Sequence, residues 1–314
     1  MDIRQAVEQL KVWSQGGQRA PHKPLLLLLV FGMYASGHPR SISFAEIEEP
    51  LRKLLTDFGP PRKSIHPEYP FWHLGSDGIW QVQNVDVPPA GIGSISPTRN
   101  ELLAANAQGG LVEECYQQIK RPELLKQVVE SILEINFPET LHEDILSSVG
   151  LPGVPDKQVA KRDAGFRSDI LLAYRNECAI CGFSSRMGDA LIGVEAAHIK
   201  WHQAGGPDTR PNGIALCSLH HKLFDFGMIT VSEDYKIHVS ERATGTAIFD
   251  HLVTDFHDQL IRMPIRASYQ PAGEFLDWHK VQVFKPPSRE PRTAQLFYAT
   301  QQVVEADPLT TGLK

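Results

Sequence analysis

The chain has 314 residues and 42% apolar content, enough for two ordinary domains with proper cores. A net charge of −6 and a pI near 6.1 exclude a histone-like coat of non-specific nucleic acid, though not a local basic face. Four cysteines are too few for a disulfide scaffold, and three of them have metal-type spacing, so a reducing, cytoplasmic setting is expected.

In chain order, "DIRQAVEQLKVWS" (2–14) has apolar residues at helical spacing. The run "PLLLLLVFGMYA" (24–35) is too short to span a bilayer and is internal. It reads as a buried core helix, and no membrane is expected among the partners. "SFAEIEEPLRKLLTDFG" (43–59) starts at a Ser cap that Glu46 completes as a capping box, with Pro50 interrupting or kinking the helix. "FWHLGSDGIWQV" (71–82) reads as a small hairpin of two aromatic-rich arms around "GSDG". "RPELLKQVVESILEINF" (121–137) is an amphipathic helix that closes a first domain, 1–140. Residues 141–162, rich in Gly, Pro, Ser and charge, read as a linker. "AGFRSDILLAYRNE" (164–177) is a helix opening a second domain, 163–285, and 286–314 read as a loose tail.

Cys178 and Cys181 form C-x2-C, and Cys217 and His220 form C-x2-H. Two such pairs are what tetrahedral zinc needs, each tight turn supplying two ligands. A closed four-ligand shell makes that Zn2+ structural. The 35 residues between the pairs (182–216) exceed a plain zinc ribbon, so something more is held between them. "GVEAAHI" reads as a strand carrying His198, "GGPDTRPNG" as a turn-rich loop ending near Asn212, and "IALCSLHHKLFDFG" as a strand running into a helix with His221. Strand, loop, strand, helix is the ββα-metal arrangement, with His221 expected to face His198 across a narrow cleft.

This stretch resembles the HNH endonuclease family through "AAHI", "PNGIALC" and "CSLHHKLFD", over roughly residues 163 to 240. The resemblance implies that His198 is the general base, that Asn212 supports the loop bearing it, and that His221 binds a divalent ion, Mn2+ or Mg2+. The chemistry suits those types. A neutral imidazole can take a proton from water, and a divalent ion can neutralise a pentavalent phosphorus centre. Many HNH enzymes place Asp before the base; here it is Ala197. The ion is therefore expected on His221 with Asp225, one helical turn on, Glu195 being a weaker candidate.

Two N-terminal stretches set basic side chains beside prolines and aromatics: "RAPHKPLLLLL" (19–29) and "PPRKSIHPEYPFWHL" (60–74). A third, "GIGSISPTRNELL" (91–103), brings Arg99 to a helix start. Rigid apolar walls beside positive charge suit a phosphate in which one oxygen is replaced by the softer, less hydrated sulfur. "APHKPLLLL" and "HPEYPFWHL" resemble the sulfur-binding domain of phosphorothioation-dependent restriction endonucleases, a family that joins this domain to a C-terminal HNH module. The resemblance implies a sulfur pocket lined by His22, Lys23, Tyr69 and Pro70, with Arg99 as the reader of base edges.

The expected fold is α+β: a mostly helical N-terminal DNA-binding domain with a small β-hairpin, linked to a zinc-stabilised ββα-metal HNH domain. The expected function is binding of phosphorothioated double-stranded DNA and one-metal hydrolysis near the mark. A homodimer would allow one site per strand. Two alternatives remain at this level: an HNH endonuclease directed to modified cytosine, with a base cage near Trp72 and Trp80, and a zinc-containing DNA-binding regulator without hydrolysis.

Overall fold

The computed structural model describes residues 2–11, 14–15, 18–85, 96–151 and 164–291. Helix α1 (Ile3–Glu8) starts at Asp2, whose carboxylate accepts from the Arg4 N–H. A short ribbon, β1 (Ser14–Gln15) with β2 (Gln18–Arg19), leads to α2 (His22–Ala35). Residues 23–32 of α2 are all buried, because a helix that is apolar all round must be enclosed on every side. At Gly32 the Val149 carbonyl comes so close that a Cβ would lie 1.7 Å from its oxygen.

Around α2 wrap β3 (Ile42–Ser43), α3 (Phe44–Phe58), α4 (Glu68–His73), β4 (Trp80–Gln83), α5 (Arg99–Ala104), β5 (Gln108–Leu111), α6 (Glu113–Ile119), α7 (Pro122–Asn136) and α8 (Glu139–Ser148). The Ser43–Glu46 capping box is formed, and α3 runs through Pro50 to Phe58. The hairpin expected at 71–82 lies elsewhere. Its first arm is the helix α4 and a 3-10 turn (Leu74–Asp77), ended by Gly78 in the left-handed region. Burying Phe71 and Trp72 against the core overrides the strand preference of aromatic residues. The second arm, β4, pairs antiparallel with β5, which also pairs with β3, giving the order β3-β5-β4.

The stretch expected to be a linker also differs at its start. Residues 139–148 form α8, whose Leu141, His142, Ile145 and Leu146 are buried in the N-terminal core. The i, i+4, i+5 spacing of its apolar residues outweighs the composition that suggested a linker. Residues 152–163 lie outside the described residues.

The second unit opens with α9 (Ala164–Ala173), followed by the ribbon β6 (Ser185–Met187) and β7 (Ala190–Ile192). Next come β8 (Val194–His198), β9 (Gly213–Cys217) and α10 (Ser218–Asp225), the strand–loop–strand–helix read from the sequence. β8 and β9 pair antiparallel from Val194↔Cys217 to His198↔Gly213. A second hairpin, β10 (Ile229–Val231) with β11 (Ile237–Val239), then α11 (Ala247–Leu252) and α12 (Gly273–Gln282), complete it. Of the tail, Ser288 bridges to Ser240 and the Arg289 N–H donates to the Val239 carbonyl, so 286–289 are anchored. Residues 292–314 lie outside the described residues.

The two units are docked. Trp201 and Phe226 of the second pack against the core of the first, and the rings of Phe58 and Phe226 meet edge-on at 5.6 Å. Lys285 donates to the carbonyls of Thr56 (3.2 Å) and Gly59 (2.5 Å) at the C-terminal end of α3. Lys222 of α10 pairs with Asp144 of α8 at 2.8 Å. Among the described residues no helix is long and apolar enough to cross a membrane.

Candidate active site

Two tight turns assemble a Cys3His cluster. Cys178 and Cys181 lie in the turn after α9, where the Gly182 N–H donates to the Cys178 carbonyl. Cys217 ends β9, and His220 lies in the first turn of α10. One donor atom from each lies within 4.8 Å of all the others, the only such group among the described residues. The Sγ atoms of Cys181 and Cys217 are 3.9 Å apart, and His220 Nδ1 is 3.5 Å from Cys178 Sγ and 3.2 Å from Cys217 Sγ. A tetrahedron with metal–sulfur bonds of about 2.3 Å has edges of about 3.8 Å, so the cluster has the size of a metal centre. His220 Nε2 donates to the Leu252 carbonyl at 2.8 Å, which leaves the lone pair on Nδ1, facing the thiols. The four donors thus fit a metal ion. The fourth cysteine, Cys115, is buried in the other core.

His198, at the end of β8, is half-buried. Its ring stacks on Phe166 of α9 at 4.1 Å, and Nε2 lies 2.7 Å from Asp208 Oδ1. Asp208 sits in the loop between β8 and β9, and Asn212 shapes that loop. The Asn212 Oδ1 accepts from the Lys200 N–H at 2.8 Å, and Nδ2 donates to the carbonyls of Lys200 and Pro207, both at 3.0 Å. Asn212 is 0% exposed, so its contribution is to the loop and not to a substrate. Gly206 permits the closure: a Cβ there would lie 1.9 Å from the Lys200 carbonyl oxygen.

His221 occupies different surroundings. Its Nδ1 is 2.7 Å from Glu195 Oε2 and its Nε2 is 3.3 Å from Asp225 Oδ2. Burial disfavours a charged ring here, but Asp225 and Glu195 outweigh it and raise the pKa to about 9. Asp225 is itself buried; its Oδ1 accepts from Trp201 Nε1 at 3.1 Å and its Oδ2 from the Thr140 hydroxyl. Burial opposes its charge too, yet His221 and the Thr140 bond hold its carboxyl below the usual range. Alternation along β8 puts Glu195 and Ala197 on the α10 face and His198 on the α9 face. The two rings thus take different neighbours, His198 those of α9 and the β8–β9 loop, His221 those of β8 and α10.

On the N-terminal unit the five expected DNA-contacting residues are not brought together as one open pocket. Lys23 is only 9% exposed, and its Nζ donates to Asp77 Oδ2 at 2.5 Å and to the Lys11 carbonyl at 2.9 Å. Arg99 grips Glu48 with two N–H groups, and Arg52 shares that carboxylate. Pro70 is buried. His22 lines a cleft at the seam between the units, beside Arg62, Trp201 and Gln203. Burial, then Arg62 and His66, lower its pKa to about 4, so the ring is neutral. Tyr69 is open, 50% exposed, stacked on His66 at 4.8 Å and edge-on to His73 at 6.4 Å, and the Arg99 side chain is equally exposed beside Glu48. It shares a surface pocket with His66, His73, Ser96 and Thr98, in which His73 Nε2 meets the Ser96 hydroxyl at 2.9 Å.

Residues 178–232 match the family model described as HNH endonuclease, and residues 1–154 match the one described as ScoMcrA-like, DNA sulfur-binding domain. The chain carries an N-terminal DNA sulfur-binding domain and a C-terminal HNH endonuclease domain. An HNH domain makes it a metal-dependent DNA nuclease. Among solved structures, the endonuclease is similar to the sulfur binding domain of SprMcrA complexed with phosphorothioated DNA. That match has 23% identity over 49% of this chain and 95% of that one, with a TM-score of 0.44. The sulfur binding domain of ScoMcrA, also complexed with phosphorothioated DNA, matches at 22% identity over 47% and 94%, TM-score 0.40. The Type IV phosphorothioation-dependent restriction endonuclease ScoMcrA matches at 22% over 47% and 32%, TM-score 0.39. No curated protein matches the endonuclease.

Sequence reasoning passed over Asp208, His66, His73 and Thr140. Asp208 was in view as the one carboxylate in "GGPDTRPNG", between the histidine and the asparagine. Tyr69 and His73 are four apart, the spacing of one helical face, which a strand reading of "FWHL" conceals, and His66 lies just ahead of that helix.

Proposed function

We propose that the endonuclease is a modification-dependent restriction enzyme that binds phosphorothioated double-stranded DNA and hydrolyses phosphodiester bonds near the mark. What carries the reading is the pairing, on one chain, of a sulfur-binding domain with an HNH domain in which His198, Asn212 and His221 take distinct stations. His198 is the general base: Asp208 accepts from its Nε2–H, so the basic lone pair is on Nδ1 and the ring is held against Phe166. Asn212 keeps Asp208 and the strand end in register through Pro207 and Lys200.

The Cys3His cluster holds structural Zn2+, which ties the turn after α9 to the start of α10. For the catalytic ion, Mn2+ or Mg2+, we propose His221 and Asp225. Their facing atoms are 3.3 Å apart, close to the roughly 3 Å between neighbouring ligands of an octahedral ion with bonds of about 2.1 Å. Glu195 accepts from Nδ1–H and so directs Nε2 toward Asp225. When bound, such an ion neutralises charge building on the phosphate and the leaving oxygen. Hydrolysis of both strands calls for two chains or two binding events, since one site cuts one strand.

For the mark we propose the pocket at Tyr69, with His66, Glu68, His73, Ser96 and Thr98 as its walls; His22 lines the separate cleft at the seam. The aromatic ring offers a cheap apolar wall for a poorly hydrated sulfur. A cage for modified cytosine near Trp72 and Trp80 is disfavoured, because both rings are buried in the core. The deciding experiment compares matched duplexes with and without one sulfur. The expected preference for sulfur is about ten- to hundredfold, and Tyr69→Ala should erode it. Equal affinity across several base contexts would reject the sulfur reading.

A further inference from the structure

The carboxylate of Asp225 is held from three sides, and one of the three belongs to the other domain. Trp201, just past β8, donates to Oδ1, and His221, one turn back on α10, faces Oδ2. The third donor is the hydroxyl of Thr140, in the first turn of α8, which belongs to the core of the N-terminal unit. One turn further along α8, Asp144 pairs with Lys222, the residue next to His221, and this fixes the register of the two helices. The seam is reinforced by Phe58 on Phe226, the residue after Asp225, and by Lys285 on the end of α3. Asp225 is 3% exposed, so water cannot readily replace a missing donor.

We propose that Thr140 is a positioning residue of the nuclease site contributed by the sulfur-binding domain. By donating to Asp225 Oδ2 it sets the carboxylate plane that meets His221 Nε2, so the hydrolytic site is complete only while the two domains are docked. The inference rests on the reading of His221 and Asp225 as the catalytic pair.

The test uses the full chain. Thr140→Val keeps the shape and removes the donor; Thr140→Ser keeps the donor and removes a methyl. Each is measured for kcat and KM on a phosphorothioated duplex, for zinc content, and for affinity toward Mn2+ alone by electron paramagnetic resonance. We expect the valine variant to lose about 10- to 100-fold in kcat and a similar factor in Mn2+ affinity, with KM and zinc content unchanged. The serine variant should stay within a few-fold of wild type. A valine variant with wild-type kcat and Mn2+ affinity overturns the inference. So does a serine variant as impaired as the valine one, since packing of the methyl would then be the cause. His221→Ala separates the two levels: if it cuts normally, the reading of the site falls, whereas an inactive His221→Ala beside a normal Thr140→Val removes this inference alone.

Discussion

His220 and His221 are neighbours on α10, yet they serve regions built on different plans. His220 faces three thiols and is anchored by the Leu252 carbonyl, all within the nuclease unit. His221 points about 100° away around the helix, to Glu195 and Asp225, and through Asp225 to Thr140 of the other unit. The first region is closed and local, built on two tight turns and the Leu252 carbonyl of the same unit. The second is distributed over three segments of chain and two domains. A cluster that joins two neighbouring turns is self-contained, whereas the chain of contacts from Glu195 through His221 and Asp225 to Thr140 draws on both units.

The sharpest way to break this comparison is at the closed centre. Cys217→Ser should abolish stoichiometric metal, about one zinc per chain in wild type, and the folded nuclease unit with it, because structural zinc contributes folding energy directly. Elemental analysis beside a thermal melt checks this; a well-folded, metal-free wild-type preparation would contradict the Cys3His site. His198→Ala should leave fold, zinc and DNA affinity intact while cleavage drops about 10²- to 10⁴-fold. Asp208→Asn should fall between this variant and wild type, because it removes the orienting carboxylate but keeps the imidazole.

Lys23→Ala probes the N-terminal unit. A surface phosphate contact would, when removed, flatten the salt dependence of binding by about one unit of slope. The buried pair with Asp77 implies a different result. We expect destabilisation on the order of 3–5 kcal/mol, read by denaturant titration, and an unchanged salt slope.

The smallest effect concerns His279. It is buried, stacked on Phe224, with Nδ1 toward the Thr230 hydroxyl and Nε2 donating to the Phe224 carbonyl. Burial lowers its pKa to about 4, from an ordinary 6.5. The unfolded chain takes up a proton below pH 6.5 that the folded chain refuses until about 4. Stability from this group is therefore full above pH 6.5 and declines as pH falls toward 4, by up to about 3 kcal/mol. Melts of His279→Gln should show a shallower slope in that window.

The contrast also explains what could be read from the sequence. The Cys3His cluster, the β8–β9–α10 succession and the core helix α2 were legible because each depends on residues close in sequence: C-x2-C and C-x2-H, a turn-rich loop, an apolar run. The surroundings of the N-terminal basic residues were not, because the fate of a basic residue depends on a distant partner. Lys23 is taken by Asp77, 54 positions on, and Arg99 by Glu48, 51 positions back. α4 was misread for a related reason. Phe71 and Trp72 favour strands locally, but burial wins, with Phe71 enclosed by Phe44, Trp80 and Gly109.

Asn212 is irreplaceable by its inventory of donors and acceptors. At this fully buried position one acceptor and two donors are spoken for, by the Lys200 N–H and by the carbonyls of Lys200 and Pro207. Aspartate has the length but no N–H to give; leucine has the bulk and no polar atom; serine has one donor and falls short. Glutamine has the right groups on a stem one carbon too long for a loop already closed at Gly206. Of the twenty coded side chains, only asparagine fits the account.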